Sequence, residues 1–168
     1  MNSTKTCHYL NDYWVLWSHD LDNDHWSLND YQPVFSFNTV EDFWILYNNI
    51  NHWYGQMYYL MRQGIPPMWE HPININGGGW TFRIDKKYAD ELWIKLSTFC
   101  IGETLSANSE NISGISLSPK LRNVVIRVWT KTNTVNPHDF DQIKKETEND
   151  AIVVDFNNAI YTPNKEKL

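Results

Sequence analysis

The chain has 168 residues, 42% of them hydrophobic, and a formal net charge of −6, so it is long enough for one domain with a real core and unlike a disordered chain. No apolar run approaches the roughly 18 residues of a membrane span, the polar start Met1-Asn2-Ser3-Thr4 carries no signal-peptide core, and the two cysteines, Cys7 and Cys100, make neither a disulfide framework nor a metal-ligand spacing. The cysteine usage reads as two free thiols in a reducing, cytoplasmic compartment, and the acidic balance argues against a grip on duplex nucleic acid without excluding recognition of one base and a few phosphates.

The alternation of apolar residues predicts strands at 13–17 and 34–37. Between them Asp20, Asp22 and Asp24 alternate as in a calcium loop, but the loop glycine and terminal Glu are missing, and they read as a solvated turn. Thr39 opens a helix, with Glu41 and Asp42 suiting the dipole of its first turn, and Val40, Phe43, Trp44, Tyr47 and Ile50 recur at helical spacing. A strand at 56–62 runs into Gly64-Ile65-Pro66-Pro67-Met68-Trp69-Glu70, where two prolines impose a rigid, non-helical loop. Gly77-Gly78-Gly79 lacks the Lys-Ser/Thr of a phosphate loop and reads as a mobile turn before a strand at 80–84.

A second helix follows Asp85, with Tyr88, Ala89, Leu92, Leu96, Phe99 and Cys100 on its apolar face and Gly102 as its C-cap. Strands at 112–117 and 124–130 come next. The third helix starts at Asn136-Pro137, with Phe140 and Ile143 as its few apolar anchors and light packing expected. A last strand is expected at 151–156, with flexible ends at about 1–7 and 162–168. The sum is an α+β chain forming one domain over 1–168. A single curved, mostly antiparallel sheet carries three helices on its convex face and a ligand pocket on its concave face.

The usual catalytic motifs are missing. There is no Gly-x-Ser-x-Gly, no phosphate-binding loop, no His-Glu-x-x-His, and the six histidines are scattered. The expectation is therefore no enzyme, no metal and no cofactor. The loop at 64–70 is more informative, because it presents an indole and a carboxylate at adjacent positions, Trp69 and Glu70. A carboxylate can accept from both N1–H and the 2-amino group of guanine, and the indole supplies a stacking face. Trp26, on another loop, is available to complete a sandwich. An N7-methylated guanine is positively charged and adds a cation–π attraction of ~0.5–2 kcal/mol per ring.

Together with Tyr13-Trp14-Val15-Leu16-Trp17, Asn38-Thr39-Val40-Glu41-Asp42-Phe43-Trp44, Gly77-Gly78-Gly79-Trp80, Trp93, Ile101-Gly102-Glu103 and Val128-Trp129-Thr130, that loop makes the chain resemble the translation initiation factor 4E family, from about residue 8 to 156. The resemblance implies a protein that binds the 7-methylguanosine cap of messenger RNA (ligands such as 7-methyl-GTP or 7-methyl-GDP). It assigns the base sandwich to Trp26 and Trp69, the guanine edge to Glu70, and contact with the N7-methyl to Trp129. The family's phosphate-binding Arg in the Gly-Gly-x-Trp turn corresponds to Gly79, its strand-entry Arg to Lys120 and its Lys to Val125. Arg127, on the same strand face as Trp129, is then the favoured substitute, with Lys120 and Arg122 next.

The resemblance also implies a partner surface on the helices for the scaffold factor 4G or for 4E-binding-protein-like peptides, at His8, Val40, Trp44, Ile94 and Gly102. Lys95 and Thr98 depart from the family there, and a reversed charge at Lys95 would repel a basic partner motif. A monomeric translation initiation factor follows. The alternative is a cap-binding repressor or decoy that does not recruit the scaffold. Trp14, Trp17, Trp80 and Trp93 read as packing residues, and Trp53 has no assigned role.

Overall fold

The computed structural model describes residues 6–165. Seven strands, β1 (Tyr9–His19), β2 (Gln32–Thr39), β3 (Met57–Arg62), β4 (Gly78–Asp85), β5 (Ile112–Pro119), β6 (Asn123–Thr130) and β7 (Ile160–Pro163), form one antiparallel sheet in the order β2-β1-β3-β5-β6-β4-β7. Three helices, α1 (Val40–Asn48), α2 (Ala89–Ile101) and α3 (Asp141–Thr147), cover one face. The expected curved sheet with helices on its convex face is borne out.

Side-chain alternation divides the sheet into two unequal faces. On the convex side Trp14, Leu16, Leu60, Ile115, Leu117, Val124, Ile126 and Val128 meet Phe43 and Tyr47 of α1 and Leu92, Trp93, Leu96 and Cys100 of α2 in one buried cluster. Trp53 joins it, buried against Tyr47, Tyr58 and Trp93, so it too is a packing residue. The Thr39 hydroxyl caps α1 by accepting from the Asp42 N–H at 3.1 Å. The concave side holds a smaller cluster of Tyr31, Met57, Tyr59, Met61, Ile65 and Trp129.

Three expectations need correction. Residues 151–156 form no strand. The Val154 N–H donates to the Thr147 hydroxyl at 2.9 Å, and Val154 and Phe156 turn into the core, so this stretch packs beneath the sheet instead of extending it. The seventh strand is Ile160–Pro163, which places Thr162 and Pro163 in the sheet and buries Asn164. The expected flexible end at 162–168 therefore does not apply to residues 162–164, and residues 1–5 and 166–168 lie outside the described part. Finally, the glycine run is not a mobile turn. Gly78 and Gly79 lie inside β4, and a Cβ on Gly77 would sit 1.7 Å from the Thr130 carbonyl oxygen, so small residues are what let β4 close against its neighbours.

The third helical segment is also anchored more firmly than its few apolar residues suggest. A 3₁₀ turn, Pro137–Phe140, precedes α3, and Phe140 stacks face to face on Phe156 at 3.7 Å. A buried ionic cluster closes the sheet's far end. Arg62 donates to both carboxylate oxygens of Glu103, to Asp12 and to two backbone carbonyls. Burial works against its charge, but those carboxylates outweigh it and hold the guanidinium above its ordinary pKa. Glu103 reaches Arg62 from a left-handed backbone, φ 60°, just after the α2 C-cap at Gly102.

Candidate functional site

Five aromatic side chains step across the concave face. Trp26, in the loop between β1 and β2, stacks on His19 with ring centres 4.2 Å apart and planes within 8°. Both rings lie against Tyr31, which meets Tyr59 edge-on at 5.4 Å, and Tyr59 in turn meets Trp129 at 6.3 Å. Strand alternation puts Trp17 and His19 of β1, Tyr59 of β3 and Trp129 of β6 on this one face. Trp26 is 49% exposed while Trp129 is 7% exposed, so the first is a half-open wall backed by His19 and the second a floor. The Trp129 indole is held by donating to the Ser116 hydroxyl at 2.9 Å.

His19 anchors the Trp26 wall. It is buried, and its two ring nitrogens lie 2.9 and 2.8 Å from the carbonyl oxygens of Asp20 and His25. The loop is pinned further at Asp30, whose carboxylate accepts from the Ser27 N–H and hydroxyl and from Asn23. These bonds, Ser27 first, lower its pKa.

The second wall comes from the loop after β3. Gly64, at φ 83°, turns the chain off the strand, and Ile65 and Pro67 are buried beneath the loop. Asn74 then holds the loop from inside, its side-chain amide donating to the carbonyls of Pro66 at 3.2 Å and Met68 at 2.9 Å. Asn164, from the end of β7, donates to the Asn74 carbonyl at 2.8 Å. Trp69 packs, half-buried, on the concave cluster. Glu70 is exposed, and its carboxylate makes no side-chain hydrogen bond among the described residues. Burial, and after it the Glu70 carboxylate, pushes the Tyr31 phenol up to about 12, so the Glu70 charge is felt at the ring that also supports Trp26. Trp26, Trp69, Glu70 and Trp129 are thus brought to one basin, and no ring contact joins Trp26 directly to Trp69.

Arg127 sits at the edge of that basin, on the face shared with Trp129, its guanidinium 5.3 Å from the Trp129 ring. One Nη donates to the Asn164 side-chain oxygen at 2.8 Å, while the buried Nε–H has no acceptor among the described residues. Burial lowers its pKa, against a smaller opposing pull from Tyr161. A Cβ on Gly79 would fall 2.3 Å from Arg127 Nε, so the arginine lies across this glycine and fills the space that a side chain there would occupy. Lys120 and Arg122 are exposed on the β5–β6 hairpin and form no ion pair among the described residues.

On the opposite face, His8 reaches α1. Its backbone N–H and ring both contact the Glu41 carboxylate, holding that carboxyl at about 2. Val40 and Trp44 lie four apart along α1, both exposed, Trp44 at 39%. Ile94 and Gly102 lie along α2, and a hydrogen bond from the Tyr47 hydroxyl to Ser97, 2.8 Å, joins the two helices beneath. Lys95 does not project as a free charge. It pairs with Asp150 and donates to the Glu146 carbonyl at 3.3 Å, so its cation is turned toward the α3 segment.

Sequence reasoning missed His19, Tyr31, Tyr59, Asn74 and Asn164. His19 and Tyr59 had a signal, since each sits on its strand in phase with a concave residue. The two asparagines had none, because their partners are backbone atoms distant in the chain. Among the described residues, no group of three or more His, Cys, Asp or Glu could hold a metal ion, and no helix is long and apolar enough to cross a membrane.

The family model described as Eukaryotic initiation factor 4E matches residues 9–168. Eukaryotic translation initiation factor 4E of Dictyostelium discoideum is 37% identical over 134 residues, covering 74% of this chain and 53% of that protein. The chain spans about half the length of the Dictyostelium, Arabidopsis and C. elegans relatives it matches. Among solved structures, the complex of C. elegans eIF4E-3 with the 4E-binding protein Mextli superposes with a TM-score of 0.82 at 27% identity, covering 96% of each chain. Ascaris suum eIF4E-3 in complex with an m7G cap gives 0.70 at 34% identity, covering 77% of this chain and 76% of that one.

Proposed function

The chain belongs to the eukaryotic initiation factor 4E family, and we propose that its concave face binds the 7-methylguanosine cap of messenger RNA. The observation that carries this reading is the convergence of two loop tryptophans and one unpaired carboxylate, Trp26, Trp69 and Glu70, over a rigid aromatic floor. The base would slide between the indoles of Trp26 and Trp69. Its N1–H and 2-amino group would donate to Glu70, and its methyl side would face Trp129. The positive charge of the methylated ring favours two indole faces over the neutral base by a cation–π attraction of ~0.5–2 kcal/mol each. Arg127 would take the first phosphates, with Lys120 and Arg122 further out. The Ascaris relative, solved in complex with an m7G cap, supports a ligand of this class.

The output is recruitment of capped messenger RNA to translation in the cytoplasm, by binding alone, with no reaction catalysed and no cofactor. The chain acts as a monomeric cap-binding domain. His8, Val40, Trp44, Ile94 and Gly102 would receive the helical peptide of a scaffold such as factor 4G, or of a 4E-binding protein. The Mextli complex of the C. elegans relative supports a partner of that kind. Pairing of Lys95 with Asp150 removes the repulsion that a free cation would exert on a basic partner motif. A pull-down with scaffold peptide separates this reading from a decoy: Trp44-dependent capture supports recruitment, and no capture supports the decoy. The central test is a tryptophan-fluorescence titration with 7-methyl-GTP against GTP. Quenching with a clear preference for the methylated nucleotide is expected, and equal affinity or no binding overturns the assignment.

A further inference from the structure

We propose that Arg83, a residue with no assigned role in the site so far, binds the cap's phosphate chain and completes a row of cations leading from Trp129 to the β5–β6 hairpin. The inference rests on the cap-binding reading of the concave face. On β6 the concave positions are Trp129, Arg127 and Val125, and the β4 residues opposite them are Gly79, Thr81 and Arg83. The row on β6 therefore breaks at Val125, an apolar residue where the next cation is needed, and Arg83 stands directly across from it. Side chains paired this way start ~4.5–5.5 Å apart, and Arg127 lies on the diagonal at ~7–8 Å. Along the strand, Val125 and its partner Arg83 are two residues beyond Arg127, ~7 Å further from the base, in the direction of Lys120 and Arg122.

Arg83 is exposed and makes neither an ion pair nor a side-chain hydrogen bond among the described residues. Asp155 borders the same groove along β4, but its carboxylate is already paired with Lys144 at 2.8 Å. Arg127 stands on the diagonal with one Nη bonded to the Asn164 side-chain oxygen at 2.8 Å and its guanidinium 5.3 Å from the Trp129 ring. Two guanidiniums held on a diagonal repel each other, and a phosphate between them converts that repulsion into charge-assisted hydrogen bonds. The pairing joins residues 42 apart in the chain, so only the β4–β6 register reveals it.

The test compares unchanged protein, Arg83→Gln and Arg83→Lys, each titrated with 7-methylguanosine nucleoside, 7-methyl-GDP and 7-methyl-GTP. Arg83→Gln should bind the nucleoside as the unchanged protein does and lose about tenfold in affinity for the triphosphate, the factor one charge-assisted contact carries at a partly solvated site. Its affinity for the triphosphate should also fall less steeply with added salt than that of the unchanged protein, because one screened charge contact is gone. Arg83→Lys should restore most of the loss. An unchanged triphosphate-to-nucleoside ratio in Arg83→Gln overturns the proposal, and so does an equal loss for both ligands. Unchanged protein that binds neither nucleoside nor nucleotide overturns the cap reading itself, and Arg83's role with it.

Discussion

The two faces of the sheet use tryptophan for opposite purposes. On the convex face Trp14, Trp53 and Trp93 are fully buried, and the indole N–H groups of Trp14 and Trp53 find no acceptor among the described residues. They serve as bulk, and the apolar area they remove from water outweighs an unpaired polar atom that costs ~1–3 kcal/mol. On the concave face Trp26 and Trp69 keep ring surface open, and Trp129 has its N–H satisfied by Ser116. These rings are held by their surroundings: a histidine under Trp26, an asparagine behind the Trp69 loop, a serine at Trp129. The difference separates an indole that supplies volume from one that supplies an oriented face.

The comparison can be broken from either side. Trp93→Ala on the convex face should cost the most stability, ~3–5 kcal/mol, because α2 cannot collapse onto the hole. Urea unfolding would show it as a lower midpoint, with cap affinity of the folded fraction kept. Trp69→Ala and Glu70→Ala should do the reverse. Each should nearly abolish 7-methyl-GTP binding while shifting stability by no more than ~0.5 kcal/mol for exposed Glu70. Trp26→Ala should weaken binding ten- to a hundredfold, ~1–3 kcal/mol, since one stacking face is lost and the rest of the site stays. A stability loss larger than the binding loss at Trp26 would erase the distinction between the faces.

A smaller effect is expected at Gly79. The added methyl of Gly79→Ala displaces Arg127, so triphosphate binding should fall severalfold while the methylated nucleoside binds unchanged. Loss for both ligands would make Arg127 a structural residue. The smallest effect belongs to the convex face's own charged contact. His8, through its side chain first and its backbone N–H second, holds Glu41 at about 2 against an ordinary 4.5. A carboxyl with a lowered folded-state pKa adds stability above its unfolded value and loses it as pH falls through the folded one. Docking of the residues around His8 should therefore weaken between about pH 4.5 and 2, and Glu41→Gln should remove that dependence from an acid titration.

The strong motifs of the site were readable before any coordinates. Pro66-Pro67 and the adjacent Trp69-Glu70 announce a stiff loop carrying a stacking ring and an acceptor, because proline restricts the backbone wherever it stands. The helix start at Thr39 and the strand positions of Trp14, Leu16 and Trp17 were readable for the same reason, each being a local rule of capping or alternation. Residues 151–156 show where such rules stop. Their apolar pattern was real, but it points into the core beside Phe140, and burial against a helix looks the same in sequence as burial in a sheet.

By itself, then, the sequence determined the three helices, six of the seven strands, the family motifs and the chemical kinds present: two loop indoles, a carboxylate and a few cations. Only the tertiary structure decided which cations stand near which. Arg127 crosses Gly79, Arg83 faces Val125, and Lys95 turns to Asp150 because strand register and helix packing bring together residues far apart in the chain. Alternation sets a side chain's face within one strand, whereas its neighbour across the sheet depends on register, and register is fixed by the core that the whole chain builds.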